Sequence, residues 1–213
     1  MADSDETTNI TFGDTGALRV TNLKTLRNSK GEPFEPRPRM ALCRCGASAK
    51  KPFCDGSHNK IEFDGAPGQP AAGDGVQDFA GKAITVHDNR ATCAHIGICT
   101  DRLAAVFNSG GEPWIDPDGA AAAEVAEIVK ACPSGALSYT LAGARLDDAG
   151  AEMEIQVSKD GPYYVTGGIP IDRGNRAQGA SEQRYALCRC GASKNKPFCD
   201  GSHWAAEFSD PGE

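Results

Sequence analysis

Nine cysteines and four histidines supply the metal-binding chemistry available to this 213-residue chain. The cysteines fall into three groups of three: Cys43, Cys45 and Cys54; Cys93, Cys99 and Cys132; Cys188, Cys190 and Cys199. His58, His95 and His203 each lie within four residues of a cysteine, and His87 does not. Thiols and imidazoles clustered in this way bind metals. A disulfide framework fits poorly, because the count is odd and the acidic start Met1–Glu6 does not read as a secretory signal. Unrelated buried thiols, packed as small hydrophobes, would not recur at regular spacing.

The first and third groups share one spacing, C-x-C-x8-C-x3-H: Cys43, Cys45, Cys54, His58, and again Cys188, Cys190, Cys199, His203. Two thiolates one residue apart grip a metal from an extended turn, and Gly46 or Gly191 lets the backbone bend directly after them. A cysteine and a histidine four residues further on share one helical face and can grip a second metal. Asp55 and Asp200 are placed to accept amide hydrogens at the start of that helix. Spacing alone leaves two chemistries open, one tetrahedral zinc on a Cys3His set or a two-iron cluster.

The shared spacing belongs to an internal repeat. A shift of 145 positions aligns Arg39–Phe63 with Arg184–Phe208, and 19 of the 25 positions are identical. Weaker matches extend upstream, pairing Ile10 with Ile155, Gly16 with Gly161, and Val20-Thr21 with Val165-Thr166. Both copies satisfy C-x-C-x2-S-x3-P-x-C-D-G-S-H, with Ser48 and Ser193 in place. This string resembles the CDGSH iron–sulfur family, of which the mitoNEET proteins are members. The resemblance implies a 2Fe–2S cluster in each copy, with Cys43 and Cys45 on one iron and Cys54 and His58 on the other. Cys188, Cys190, Cys199 and His203 would do the same. It also implies that the two halves, like two chains of that family, can pair, here within one monomeric chain.

Between the copies, Cys93-Ala94-His95-Ile96-Gly97-Ile98-Cys99 is followed by Cys132-Pro133. Bacterial ferredoxins use C-x2-C-x2-C with a remote Cys-Pro, and here Ile96 occupies the middle slot. Three thiolates suit a 3Fe–4S cluster, or a 4Fe–4S cluster whose fourth ligand is unusual. His95, one position from the vacant slot, either ligates or hydrogen-bonds beside the cluster. The region resembles the divergent mono-cluster 4Fe–4S domains of small bacterial ferredoxins.

Several elements must position these ligands. Strands are expected at Leu18–Leu23, Glu154–Val157, Tyr163–Thr166, Ala83–His87 and Ala136–Leu141, from their alternation. Ala121–Ala131 reads as a helix presenting Val125, Ile128 and Val129 and stopped by Pro133, and a shorter helix is expected at Asp101–Val106. Asp64–Gly81 and Ala142–Ala151 are glycine-rich joints. The expected organisation is a CDGSH domain at 1–66, a ferredoxin-like domain at 82–141 and a second CDGSH domain at 152–213. The fold class is α+β: two β-rich, metal-stapled domains with an α+β insert. With 25 glycines, 13 prolines and only 7% aromatic residues, the chain holds little apolar material for a core. Trp114 and Trp204 are expected to pack, and His87 to be structural or at the surface.

The net charge of -7 argues against a nucleic-acid partner, and no apolar run reaches the length of a membrane span. Arg37, Arg39, Arg44, Lys50, Lys51 and Lys60 gather around the first motif, either to dock an acidic redox partner or as a solvated face. No catalytic triad, phosphate loop or dinucleotide fingerprint is present, so the chain does not read as an enzyme. The expected role is electron transfer in the cytoplasm, between three clusters and an unnamed redox partner. Two alternatives are a carrier or pH/redox sensor that delivers labile clusters to an apo-protein acceptor, and a structural zinc module.

Overall fold

The computed structural model describes residues 7–70, 75–145 and 150–213. The acidic start Met1–Glu6 and part of each expected joint, 71–74 and 146–149, lie outside these described residues. The first copy supplies β1 (Asn9–Thr11), β2 (Leu18–Thr21), β3 (Thr25–Arg27) and β4 (Arg39–Leu42). The insert supplies β5 (Gln77–Ala80), β6 (Ile84–Asp88), α1 (Ile98–Arg102), α2 (Ala122–Lys130), β7 (Leu137–Leu141) and β8 (Ala144–Arg145). The second copy supplies β9 (Glu154–Val157), β10 (Tyr163–Thr166), β11 (Tyr185–Leu187) and α3 (Ser202–Ala205). The architecture is α+β, and no helix among the described residues is long and apolar enough to cross a membrane.

The strands of the copies alternate as half-buried strands must. Leu18 and Val20 point inward and Arg19 outward in β2, and Met40 and Leu42 point inward in β4. Two sheets follow, ordered β1-β2-β4 and β11-β10-β9-β3. The second sheet crosses the repeat boundary, because β3 of the first copy pairs in parallel with β9, Leu26 opposite Ile155. A parallel bridge of Ile10 to Ile171 makes the reciprocal contact, and each of these positions is its counterpart shifted by 145. Eight buried residues from each copy, among them Ile10, Leu26, Ile155 and Ile169, therefore form one core. A unit of about 60 residues buries too small a fraction of its surface to be comfortable alone, and pooling two apolar sets relieves that.

In the insert, β5-β6-β7-β8 form an antiparallel sheet on which α2 packs through Val125, Ala126 and Val129. The Ala121 amide donates to Glu124 Oε2 at 3.2 Å, holding the first turn of the helix. Two expectations change here. The last residues of the Asp64–Gly81 joint are strand β5, since Phe79 enters the insert core opposite Val86. One apolar residue among polar neighbours gives no alternation to read. The short helix begins earlier than Asp101, at Ile98, because Gly97 turns the chain with φ +79° directly before it.

Candidate metal centres

In the first copy, β4 delivers Cys43 and Cys45, whose Sγ atoms stand 3.7 Å apart. Cys54 Sγ and His58 Nδ1 stand 3.4 Å apart. The second copy repeats both pairs, with 3.8 Å for Cys188–Cys190 and 3.5 Å for Cys199–His203. A metal–sulfur bond of about 2.3 Å and a metal–nitrogen bond of about 2.0 Å, at a tetrahedral angle, give spans of about 3.8 Å for two sulfurs and about 3.5 Å for sulfur and nitrogen. Each pair thus has the bite of two ligands on one tetrahedral metal. Among the described residues, no three Cys, His, Asp or Glu side chains could close together on a single ion. The donors fit a group with two metal atoms, each taking one pair.

One local expectation is corrected. Cys54 and His58 do not share a helical face, because the single 3-10 turn starts at Ser57 and α3 starts at Ser202, both after the cysteine. Gly56 and Gly201, with φ +85° in each copy, fold the chain instead. Their amides point back to Cys54 Sγ and Cys199 Sγ at 3.4 and 3.5 Å. Asp55 Oδ1 and Oδ2 accept from the amides of Ser57 and Ala49, and the Ser57 hydroxyl together with these amides holds its carboxyl well below the usual range. Asp200 makes the same bonds to Ser202 and Lys194. Ser48 and Ser193 donate to the carbonyls of Phe53 and Phe198, closing each ligand loop.

Arg44 is not part of a solvated basic face, being only 2% exposed. Its guanidinium donates to the carbonyls of Gly16, Gly65 and Gly13 at 2.6–2.8 Å, with Phe12 and Phe63 against its planes. Arg189 repeats this, binding Gly161 O, Ser158 O and the Asp210 carboxylate. Each arginine sits between two of the candidate cysteines and ties that turn to the sheet and the C-terminal segment of its copy.

The central group is built differently. Cys93, Cys99 and Cys132 line one cavity with His95, Ile96 and Leu137. The loop carrying them turns through left-handed backbone at His95 (φ +53°) and Gly97, which brings the His95 amide 3.4 Å from Cys93 Sγ. Arg90 Nη1 donates to the same sulfur at 3.3 Å, while its side chain also holds buried Asp88 and lies over the Trp114 ring. Burial raises the Cys93 and Cys99 thiols, a cost relieved when a metal takes the thiolates. Three convergent thiols with no fourth cysteine suit a cluster of three or four irons. His87, by contrast, is buried in β6 between Asp78 and Thr140, a structural role.

The central group sits against the second copy. His95 carbons lie where a side chain on Gly201 would be, 2.7 Å from that position. Trp204 Nε1 donates to the His95 carbonyl at 2.8 Å, and Ala94 packs on Ala186 and Cys199. Trp204 therefore is not buried as expected, since 62% of it is exposed, and it contributes this bond and a tilted ring contact with His203. Arg184 clamps the far side, donating to the carbonyls of Lys130 and Cys132 at the end of α2. Coverage by the insert leaves His203 only 3% exposed, and burial pushes the Cys199 thiol up to about 12. The Cys188 thiol, by hydrogen bonding, draws Cys190 down to about 6. His58 and Cys54, with no insert over them, are half-buried.

Comparison with known proteins agrees with this arrangement. A family model described as iron-binding zinc finger, CDGSH type, matches residues 15–59 and 160–204. One described as divergent 4Fe-4S mono-cluster matches residues 79–142. The Escherichia coli K12 protein named as uncharacterized protein YjdI is 40% identical over 65 residues, covering 30% of this chain and 86% of that protein. The mouse protein named CDGSH iron-sulfur domain-containing protein 1 is 35% identical over 69 residues, covering 32% of this chain and 56% of that protein. No solved structure matches the chain.

Proposed function

Since the chain belongs to the CDGSH iron-binding family, with two copies flanking a divergent 4Fe-4S mono-cluster domain, we propose that it is a three-cluster electron-transfer protein rather than an enzyme. In this reading Cys43, Cys45, Cys54 and His58 hold one 2Fe–2S cluster, and Cys188, Cys190, Cys199 and His203 hold another. Cys93, Cys99 and Cys132 hold a 3Fe–4S cluster, or a 4Fe–4S cluster with His95 as fourth ligand. When bound, such clusters supply one-electron chemistry.

The observation that carries the reading is the seat of the central group on the second copy. His95 lies between the cysteines of one site and Gly201 beside the ligands of the next, and the Trp204 bond holds it there. The ligand loops of the two copies in turn meet at a bridge between Cys45 and Cys190. Three sites in contact sequence is an arrangement for passing electrons. That no three donors gather on one ion among the described residues favours two-metal clusters over single zinc ions. Neutral imidazole in place of one thiolate makes a cluster less negative and easier to reduce, as in Rieske centres.

The test is anaerobic purification with metal and sulfide analysis, followed by electron paramagnetic resonance of oxidised and reduced protein. About seven or eight irons per chain are expected. A signal in the oxidised state would mark a 3Fe–4S centre. Colourless, zinc-loaded protein would overturn the reading. The half-buried Cys54–His58 edge favours a second one, delivery of a labile cluster from the first copy to an apo-protein. Transfer of visible absorption to apo-ferredoxin would identify it.

A further inference from the structure

The internal pseudo-twofold gives each surface of the first copy a counterpart in the second. On the second copy, Tyr164 and Ala186 face outward from β10 and β11, beside Cys199, and the insert covers them with Ala94 and Ile96. Their counterparts, 145 positions earlier, are Arg19 and Ala41 beside Cys54. Arg19 pairs with Ala41 across β2 and β4 as Tyr164 pairs with Ala186. The Cys54 amide donates to Ala41 O at 2.8 Å, as that of Cys199 donates to Ala186 O at 2.9 Å. The two faces are therefore built alike, yet among the described residues only one is covered. Ala186 and Asn195 are each 4% exposed, whereas Ala41 and Lys50, at the same positions of the first copy, are exposed.

Most charge changes around the bare face add positive charge, although Ala180 and Lys194 are replaced by Glu35 and Ala49, which subtract from it. Tyr164, Glu182, Asn195 and Ala205 are replaced by Arg19, Arg37, Lys50 and Lys60. Arg39 matches Arg184, the residue that clamps the insert on the covered face. Asp55 also lies here, with its carboxylate engaged by the amides of Ala49 and Ser57. A local positive face on a chain of net charge -7 is a focused electrostatic feature, not a consequence of composition.

We propose that this face is the docking surface for a separate, acidic one-electron carrier protein, seated over Cys54 and His58 as the insert is seated over Cys199 and His203. One electron leaves the reduced carrier, which is oxidised by one unit, and the first site is reduced by one unit. No bond is made or broken, and no proton is needed. The proposal rests on the electron-transfer reading and deepens it by naming the entry face and the chemistry of the partner.

The test uses the full cluster-loaded chain and a reduced 2Fe–2S ferredoxin of net negative charge. Stopped-flow association rates and calorimetric affinities are measured at low and high salt for the parent and for Arg19→Glu/Arg39→Glu/Lys50→Glu. All three side chains are exposed, and matching iron content and visible spectra establish that the variant is folded. The expected result is a fall in association rate of roughly tenfold or more at low salt, vanishing at high salt where charges are screened. Glu182→Lys, on the other copy, is expected to cause no such fall. Unchanged rate, affinity and salt slope in the triple variant would overturn the docking face. So would loss of binding to anionic phospholipid vesicles with carrier binding intact. Failure of the parent to be reduced by the carrier or by dithionite would sink the electron-transfer reading itself, whereas a parent that is reduced and a variant that binds normally sinks only the docking face.

Discussion

Cys45 and Cys190, equivalent residues of the two copies, face each other across an isolated antiparallel bridge. Gly46 and Gly191 follow them, and neither has room for a side chain. A Cβ on Gly46 would stand 2.5 Å from Cys190 O, and one on Gly191 2.6 Å from Cys45 O. The inner ligand loops of the two sites are thus packed backbone against backbone. The repeat behaves as one body at the place where its chemistry is concentrated.

That contact predicts the cost of one methyl group. Gly31 has φ +84° and nothing within 4 Å of its added Cβ, so Gly31→Ala reports the backbone penalty alone, about 1 kcal/mol. Gly46 has φ +79°, so Gly46→Ala adds to a like penalty an overlap with fixed backbone that no rotamer relieves. Its loss of stability should exceed that of Gly31→Ala by about 2 kcal/mol or more in denaturant unfolding of the cluster-loaded protein. Equal losses would show that the two loops separate easily.

The two buried arginines should differ. Arg44→Leu leaves three glycine carbonyls without their donor, whereas Arg189→Leu also strands the largely buried Asp210 carboxylate. Losing a partner from a buried ion pair costs about 3–5 kcal/mol. Arg189→Leu is therefore expected to be the more destabilising, with Asp210→Asn added to it recovering part of the loss. Unfolding midpoints of the three proteins decide this.

Acid should empty the two copies at different rates. Imidazole ligates only when neutral, and its ordinary pKa is about 6.5. Burial holds the His203 imidazole below that value, so its neutral form is fully present above the ordinary pKa and is lost only as pH falls through the lower one. His58 lacks the covering insert. Visible absorption should then decay in two phases below about pH 6, with His58→Cys abolishing the fast phase. A fast phase abolished by His203→Cys would contradict the assignment.

Trp204→Phe isolates the hold of the insert on the second copy. The ring stays beside His203, at a centroid distance of 5.3 Å, and only the bond to His95 O is lost. One such bond contributes about 1 kcal/mol. Amide exchange in the Cys93–Cys99 loop should rise about fivefold, with exchange in β9 and β10 unchanged. Uniform acceleration throughout the chain would mean that the bond stabilises the whole fold.

Much of the site was legible in the sequence because its information is local. Ligand spacing, the glycines beside the cysteines and the amide-accepting aspartates act within a few residues, and repetition at a shift of 145 marked them twice. Strands β9 and β10 were readable from alternation, whereas β1 and β3, three residues each, were too short to show a period. The place of Arg44 is not legible for a related reason. Its charge was visible, but the three carbonyls that receive it come from Gly13, Gly16 and Gly65 and converge only after folding.

The sequence by itself determined the spacing of the candidate metal ligands, their repetition at a shift of 145, and that a differently spaced cysteine group lies between the two copies. Tertiary structure alone decided that β3 pairs with β9, that the copies pool one core, and that the insert covers the second copy and leaves the first bare. Ligation is a short-range matter of a few bonds and angles. Which surfaces meet depends instead on apolar burial and charge summed over residues more than a hundred positions apart.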